Sequence, residues 1–139
     1  CCVPELEPTL LDIAFCSTDE LRFPAVTAIA ESGSPEGRRR LGKLLSQVID
    51  DDLKGCVLRA VWPGLLAVED VLPTLTPPEQ HGGVGTGCYA RFLEYDFVPG
   101  LQDDDLPAAL TWFGADADTI RIPVFVRLRE RQNAIFCSK

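Results

Sequence analysis

Residues 21 to 33, LRFPAVTAIAESG, recur in outline 32 positions later as LKGCVLRAVWPG, residues 53 to 64. Leu21, Pro24, Ala25, Ala28 and Ile29 line up with Leu53, Cys56, Val57, Ala60 and Val61, and Arg22 with Lys54. Both sets follow the i, i+3, i+4, i+7, i+8 spacing of one helical face. A helix with one apolar stripe buries it only against another element, so a repeated stripe calls for stacked neighbours. The expectation is an all-α chain. Its antiparallel helix pairs stack as a short HEAT-like α-solenoid over residues 1–114, and a divergent C-terminal tail, residues 115–139, follows. Two clear repeats are fewer than the three or so that stabilise a solenoid, which points to a truncated parent or to atypical capping pairs. The tetratricopeptide and ankyrin signatures are absent.

Local signals place the helices. Thr9 to Phe15 reads as a short helix, apolar at Leu10, Ile13 and Ala14. Ser17 and Glu20 are spaced as a capping box for a helix that ends at Gly33, with Pro24 kinking or restarting it. Ser34, Pro35 and Glu36 suit the N-cap, N1 and N2 of the next helix. Its inner face is Leu41, Leu44, Leu45, Val48 and Ile49, its outer side carries Arg38, Arg39, Arg40 and Lys43, and Glu36 and Arg40 form an i, i+4 pair. Asp51 and Asp52 cap the repeated helix at the positive end of its dipole, and Pro63 and Gly64 stop it. A shorter partner from about Val68 turns Val71, Leu72 and Leu75 inward and ends at Thr76, Pro77 and Pro78.

Beyond residue 78, EQHGGVGTG reads as a loop. Thr86 caps a helix carrying Tyr89, Phe92 and Leu93. Asp103 to Asp105 with Pro107 begin another, whose inner face is Leu106, Ala109, Leu110 and Phe113. The segment IRIPVFVRL is rich in β-branched residues and alternates loosely, so it reads either as an edge strand interrupted by Pro123 or as the approach to a tail helix from Val126. The core is expected at Leu21, Ala25, Ala28, Ile29, Leu41, Leu45, Leu53, Val57, Ala60, Val61 and Trp62, with Trp112 also packed inward.

Charge and composition exclude several classes. The net charge of −8 disfavours nucleic acid as the main partner. The charge is uneven: residues 121–139 carry +4 and the preceding residues −12. This basic end is either a solvated face or an element that docks onto another part of a larger chain. There is no run of the roughly 18 apolar residues that a membrane span needs. The chain opens on Cys1 and holds no methionine, so it is read as a fragment, the alternative being a lipidated mature N-terminus at Cys1. Six cysteines, at 1, 2, 16, 56, 88 and 137, form no CxxC, and His81 has no companion at zinc spacing. Free thiols in a cytoplasmic compartment are expected, with no metal and no cofactor.

The motifs that invite chemistry fall short of it. HGGVGTGCY lacks the Gly-Lys-Ser/Thr of a phosphate loop and the GxGxxG of a dinucleotide fingerprint. The runs Asp50–Asp52 and Asp103–Asp105 sit where helices begin, which capping explains. A Cys88–His81 nucleophile pair in the loop 81–89 is the sole enzymatic reading, and no catalytic residue is assigned.

Taken in order, LKGCVLRAVWPGLLAVEDVLPTLTPP, a Gly-rich loop, YARFL and DDLPAALTWF resemble the helical repeat region C-terminal to the NTPase module of bacterial NACHT-type proteins of the STAND class, over roughly residues 18 to 114. The resemblance implies a non-catalytic sensor or scaffold segment in signalling or antiphage defence. Its partner would be a protein, either the NTPase module or a protein ligand. The family's Walker residues have no counterpart here, and residues 115–139 depart from its pattern. A free-standing HEAT-like interaction adaptor is the alternative.

Overall fold

The structure, a computed structural model, describes residues 4–16, 20–47, 49–76, 87–114 and 121–137. Among these every regular element is helical. The α-helices are α1 (Glu7–Cys16), α2 (Arg22–Ser32), α3 (Pro35–Leu41), α4 (Asp51–Val61), α5 (Val68–Val71), α6 (Cys88–Arg91), α7 (Val98–Gly100), α8 (Leu106–Gly114) and α9 (Arg121–Cys137). A π-helical stretch, Phe92–Phe97, carries α6 into α7 without a break.

The helix starts follow local chemistry. Ser34 is the N-cap of α3, its hydroxyl accepting from Gly37 N at 2.9 Å, and Pro35 takes the first helical position. The helix expected to run on to Ile49 instead tightens at Gly42 into a 3-10 segment that ends at Ser46. Glu36 pairs with Arg39 at 3.3 Å, one position nearer than expected. Leu11 and Ala14 face inward from α1, while Leu10 and Ile13 are half-buried. The proposed capping residues Ser17 and Thr86, Val48, and the glycine-rich stretch within 77–86 lie outside the described residues.

The two repeat copies fold out of step. Asp50 caps α4, its Oδ1 accepting from Leu53 N at 2.8 Å, whereas Leu21 precedes α2 with no side-chain cap. In the repeat alignment α4 therefore begins three positions earlier than α2. Leu53 lies inside its helix and is 2% exposed, while the equivalent Leu21 stands in front of its helix and is 61% exposed. Leu21 is thus not a core residue. The first copy buries Ala25, Val26 and Ile29, with Ala28 half-buried, and the second buries Leu53, Val57, Ala60 and Val61. Pro24 falls in the first turn of α2, where its missing N–H leaves no intrahelical bond unmade, so it begins the helix instead of kinking it.

Helix α4 is the hub. Leu53, Val57 and Ala60 join a core with α1, α2 and α3, through Leu11, Val26, Ile29, Leu41 and Leu44. Leu58 and Trp62 join a second core with Val68, Val71, Leu72 and Leu75, then Tyr89, Phe92 and Phe97, and finally α8 and α9. Leu45 packs against both. The C-terminal segment is a correction to the strand reading: α9 runs unbroken from Arg121 to Cys137. Its third residue is Pro123, in the tolerant first turn, and Val124 and Leu128, four apart, are buried in the second core. Tertiary burial of this i, i+4 pair overrides the β-branched bias.

Candidate functional site

An open cleft of about 380 Å³ is lined by Arg59, Trp62, Pro63, Tyr95, Asp96, Pro99 and Gly100. One wall is the end of α4, which stops at the C-cap Trp62 ahead of a cis Trp62–Pro63 peptide. The other wall is the π-helical stretch and α7. Pro99 has no N–H to return to the preceding turn, so carbonyls there need partners from elsewhere. Arg127 supplies one: its Nη1 donates to Glu94 O, and its Nη2 to Glu94 Oε1 at 3.2 Å. Arg131 Nη1 donates to Val98 O at 2.6 Å, and Trp62 Nε1 to Phe97 O at 3.2 Å. Gly100 is what lets the indole in, since a Cβ there would stand 2.3 Å from Trp62 Nε1.

This frame holds the cleft open. Trp62 is buried beside Phe97, ring centroids 5.4 Å apart, and Phe97 in turn meets Phe92 and Phe113. Tyr95, by contrast, is 60% exposed, with the Arg127 guanidinium 5.7 Å from its ring centre. Arg59 Nε and Asp96 Oδ2 pair across the rim at 3.1 Å. Two arginines of the basic end therefore dock within the molecule, Arg127 on Glu94 and Arg131, through Nη2 at 3.4 Å, on Asp103.

A second polar group lies between α4 and α6. Lys54, 8% exposed, donates from Nζ to Thr76 Oγ1 at 2.6 Å and lies 4.5 Å above the Tyr89 ring. Tyr89 donates its hydroxyl to Thr76 O at 2.7 Å. Burial pulls the Lys54 ammonium below its ordinary 10.5, with Asp51 opposing, and burial pushes the Tyr89 phenol well above its ordinary 10.0. With its proton committed to a carbonyl and its anion disfavoured, Tyr89 is a poor acid or base near neutrality. The group pins the Thr76 turn to α4. Asp52, read from sequence as a cap of its own helix, reaches across instead: its Oδ1 accepts from Cys88 N, opening α6, at 2.9 Å.

Of the residues that the sequence singles out, Trp62 is buried and also forms the cleft wall, and Trp112 is half-buried against the Phe113 ring at 4.9 Å. His81 lies outside the described residues, so the Cys88–His81 pairing has no geometry here, while Cys88 is free and half-buried. Among the described residues no group of three His, Cys, Asp or Glu side chains converges as a metal site, and no helix is long and apolar enough to cross a membrane. Tyr95, Asp96, Pro99 and Lys54 were not legible as site residues. The pairing of an aromatic-rich run with Pro99-Gly100 was the available signal for the first three. Compared with known proteins, the chain matches no family model, no curated protein and no solved structure.

Proposed function

We propose that this chain is a non-catalytic protein-binding segment, and that the Trp62–Tyr95 cleft seats a side chain of its partner. The carrying observation is the shape and lining of the cleft. It is open, so a small molecule in it would stay largely wet, whereas enclosed ligand sites bury most of their occupant. Two prolines, an exposed tyrosine and a buried tryptophan offer flat apolar surface, and the Arg59–Asp96 pair on the rim offers a donor and an acceptor. A proline or aromatic side chain flanked by a charged residue suits that lining.

The biological setting in this reading is the one implied by the sequence resemblance: a sensor or scaffold of HEAT-like stacked helices in a bacterial NACHT-type NTPase. The direct packing of α2 on α4, the two repeat copies, supports such stacking. The test is selection of a displayed peptide library on the purified chain. The expected outcome is an enriched proline- or aromatic-centred consensus whose binding falls at least tenfold on Tyr95→Ala and is unchanged on Glu69→Ala, an exposed residue of α5. No consensus, or one indifferent to Tyr95→Ala, would overturn the reading. The reading frame upstream of Cys1 tests the setting: a Gly-Lys-Ser/Thr motif there supports the NTPase, and a nearby start codon makes the cleft that of a free-standing adaptor.

A further inference from the structure

Helices α4 and α6 approach closely at Gly55. A Cβ built on Gly55 would stand 2.2 Å from Tyr89 N and 2.3 Å from the Cys88 carbonyl carbon. Glycine at this position lets the two main chains touch. The next residue on α4 is Cys56 and the first residue of α6 is Cys88, both free and both half-buried. The Cys88 sulfur is near enough to act on the Cys56 thiol, adding to burial in disfavouring its ionisation. The buried Thr27 hydroxyl, which has no bond of ordinary geometry, lies beside the Cys56 thiol as a further polar neighbour. Asp52 holds Cys88 N at 2.9 Å, so the Cys88 main chain is anchored to the helix that carries Cys56.

We propose that Cys56 and Cys88 form a redox-active dithiol that closes to an intramolecular disulfide on two-electron oxidation by a hydroperoxide. Disulfides require main chains in close approach, and Gly55 supplies that approach by removing the side chain that would separate the helices. The reaction proceeds in two displacements. The Cys88 thiolate attacks the peroxide oxygen, the O–O bond breaks, and Cys88 becomes a sulfenic acid with release of water or alcohol. Cys56 sulfur then attacks the Cys88 sulfur, the S–O bond breaks, and the thiol proton leaves with the hydroxide as water. Both thiols lose one electron and the peroxide gains two. Burial pushes the Cys56 thiol up to about 11, with the Cys88 sulfur beside it acting in the same direction. A thiol held protonated in this way suits the second, resolving step, which we assign to Cys56.

The test is oxidation of the reduced chain with one equivalent of hydrogen peroxide, followed by alkylation, intact mass and peptide mapping. The expected product has lost two hydrogens, carries a Cys56–Cys88 cross-linked peptide, alkylates at the exposed Cys16 and Cys137, and reverts with dithiothreitol. Its thermal midpoint rises by on the order of 10 °C, because the link closes a loop of the unfolded chain. Cys56→Ser, a near-isosteric change expected to keep the reduced protein's thermal transition, should accumulate a dimedone-reactive sulfenic acid at Cys88 that the parent does not. Free alkylation of both residues after peroxide, a cross-link to a different cysteine, or equal dimedone labelling of parent and variant would each overturn the proposal.

Discussion

Gly55→Ala is the sharpest test of how the two halves of the molecule meet. The added methyl would sit 2.2 Å from Tyr89 N and 2.3 Å from the Cys88 carbonyl carbon, where ordinary contact begins near 3.4 Å. Both obstacles are main chain, so no side-chain rotation relieves them, and α4 and α6 must part by roughly 1 Å. Overpacking of this kind costs about 1–3 kcal/mol, and rigid neighbours place it at the upper end. Against this, alanine in a helix interior gains up to about 1 kcal/mol over glycine. The net expectation is a loss of about 2 kcal/mol, a lowering of the thermal midpoint by roughly 6 °C. Gly42→Ala is the matched control: its nearest neighbours would be Val61 Cγ1 at 3.5 Å and Leu66 Cδ1 at 3.6 Å, and its φ of −52° is helical. With no clash, only the propensity gain of about 0.5–1 kcal/mol should appear. Urea titrations followed by far-UV circular dichroism measure both. The reasoning fails if Gly55→Ala is as stable as the parent, or if the two variants shift in the same direction.

Trp62→Phe should lose about 1–3 kcal/mol in the same titration, because it leaves the Phe97 carbonyl inside the second core without its donor; a change below about 0.5 kcal/mol would mean that water replaces the indole N–H. Lys54→Met should leave the chain at least as stable at neutral pH, since the fold disfavours the buried ammonium. The sign follows from linkage: with the folded value below 10.5, the unfolded chain binds more protons in that window, so stability of the parent rises as pH climbs toward 10.5, and the variant should lose that rise. A destabilised Lys54→Met at neutral pH would show that the bonds to Thr76 and Tyr89 outweigh the burial. Glu7 is held below its ordinary 4.5, first by the Ser34 N–H and then by the Ser34 hydroxyl. That contribution is present above pH 4.5 and is lost as pH falls through the lower folded value, so Glu7→Gln should flatten the acid limb of the stability curve and leave its shape near neutrality unchanged.

Helix starts were readable because they are local. Ser34-Pro35-Glu36 and Asp50 act within one turn of the backbone they cap, and the inward set Val71, Leu72 and Leu75 follows from periodicity within a single short segment. The repeat was readable as a pattern, yet its frame was not, because Asp50 caps the start of α4 while Leu21, which precedes α2, makes no side-chain cap. That displacement turned Leu21 outward. The candidate site was still less accessible. Tyr95 and Asp96 belong to a π-helical stretch that shifts side chains away from the α-helical period, and the residues that stabilise it come from α4 and α9, more than thirty positions away. In the sequence Lys54 is only the repeat counterpart of Arg22, and only the packing of α6 over it reveals a buried cation.

One device recurs throughout the molecule and accounts for how helices this short persist. Isolated helices of fewer than about 12 residues are marginal in water, and the α-helical segments before α9 have at most 11. Their ends are closed by side chains from distant segments. Arg22 Nε donates to Ala14 O at 2.9 Å near the end of α1. Glu7 accepts from the main chain and hydroxyl of Ser34 at 2.6 and 2.7 Å, ahead of α3, and Gly37 leaves room for its carboxylate. Asp52 closes the start of α6, and Trp62, Arg127 and Arg131 take carbonyls of the stretch that follows. Because such a cap exists only when both elements are docked, the helices and their packing form together. Loss of one long-range cap should therefore lower the midpoint of a single transition without splitting it, whereas a stack of autonomous repeats would melt from the damaged unit outward.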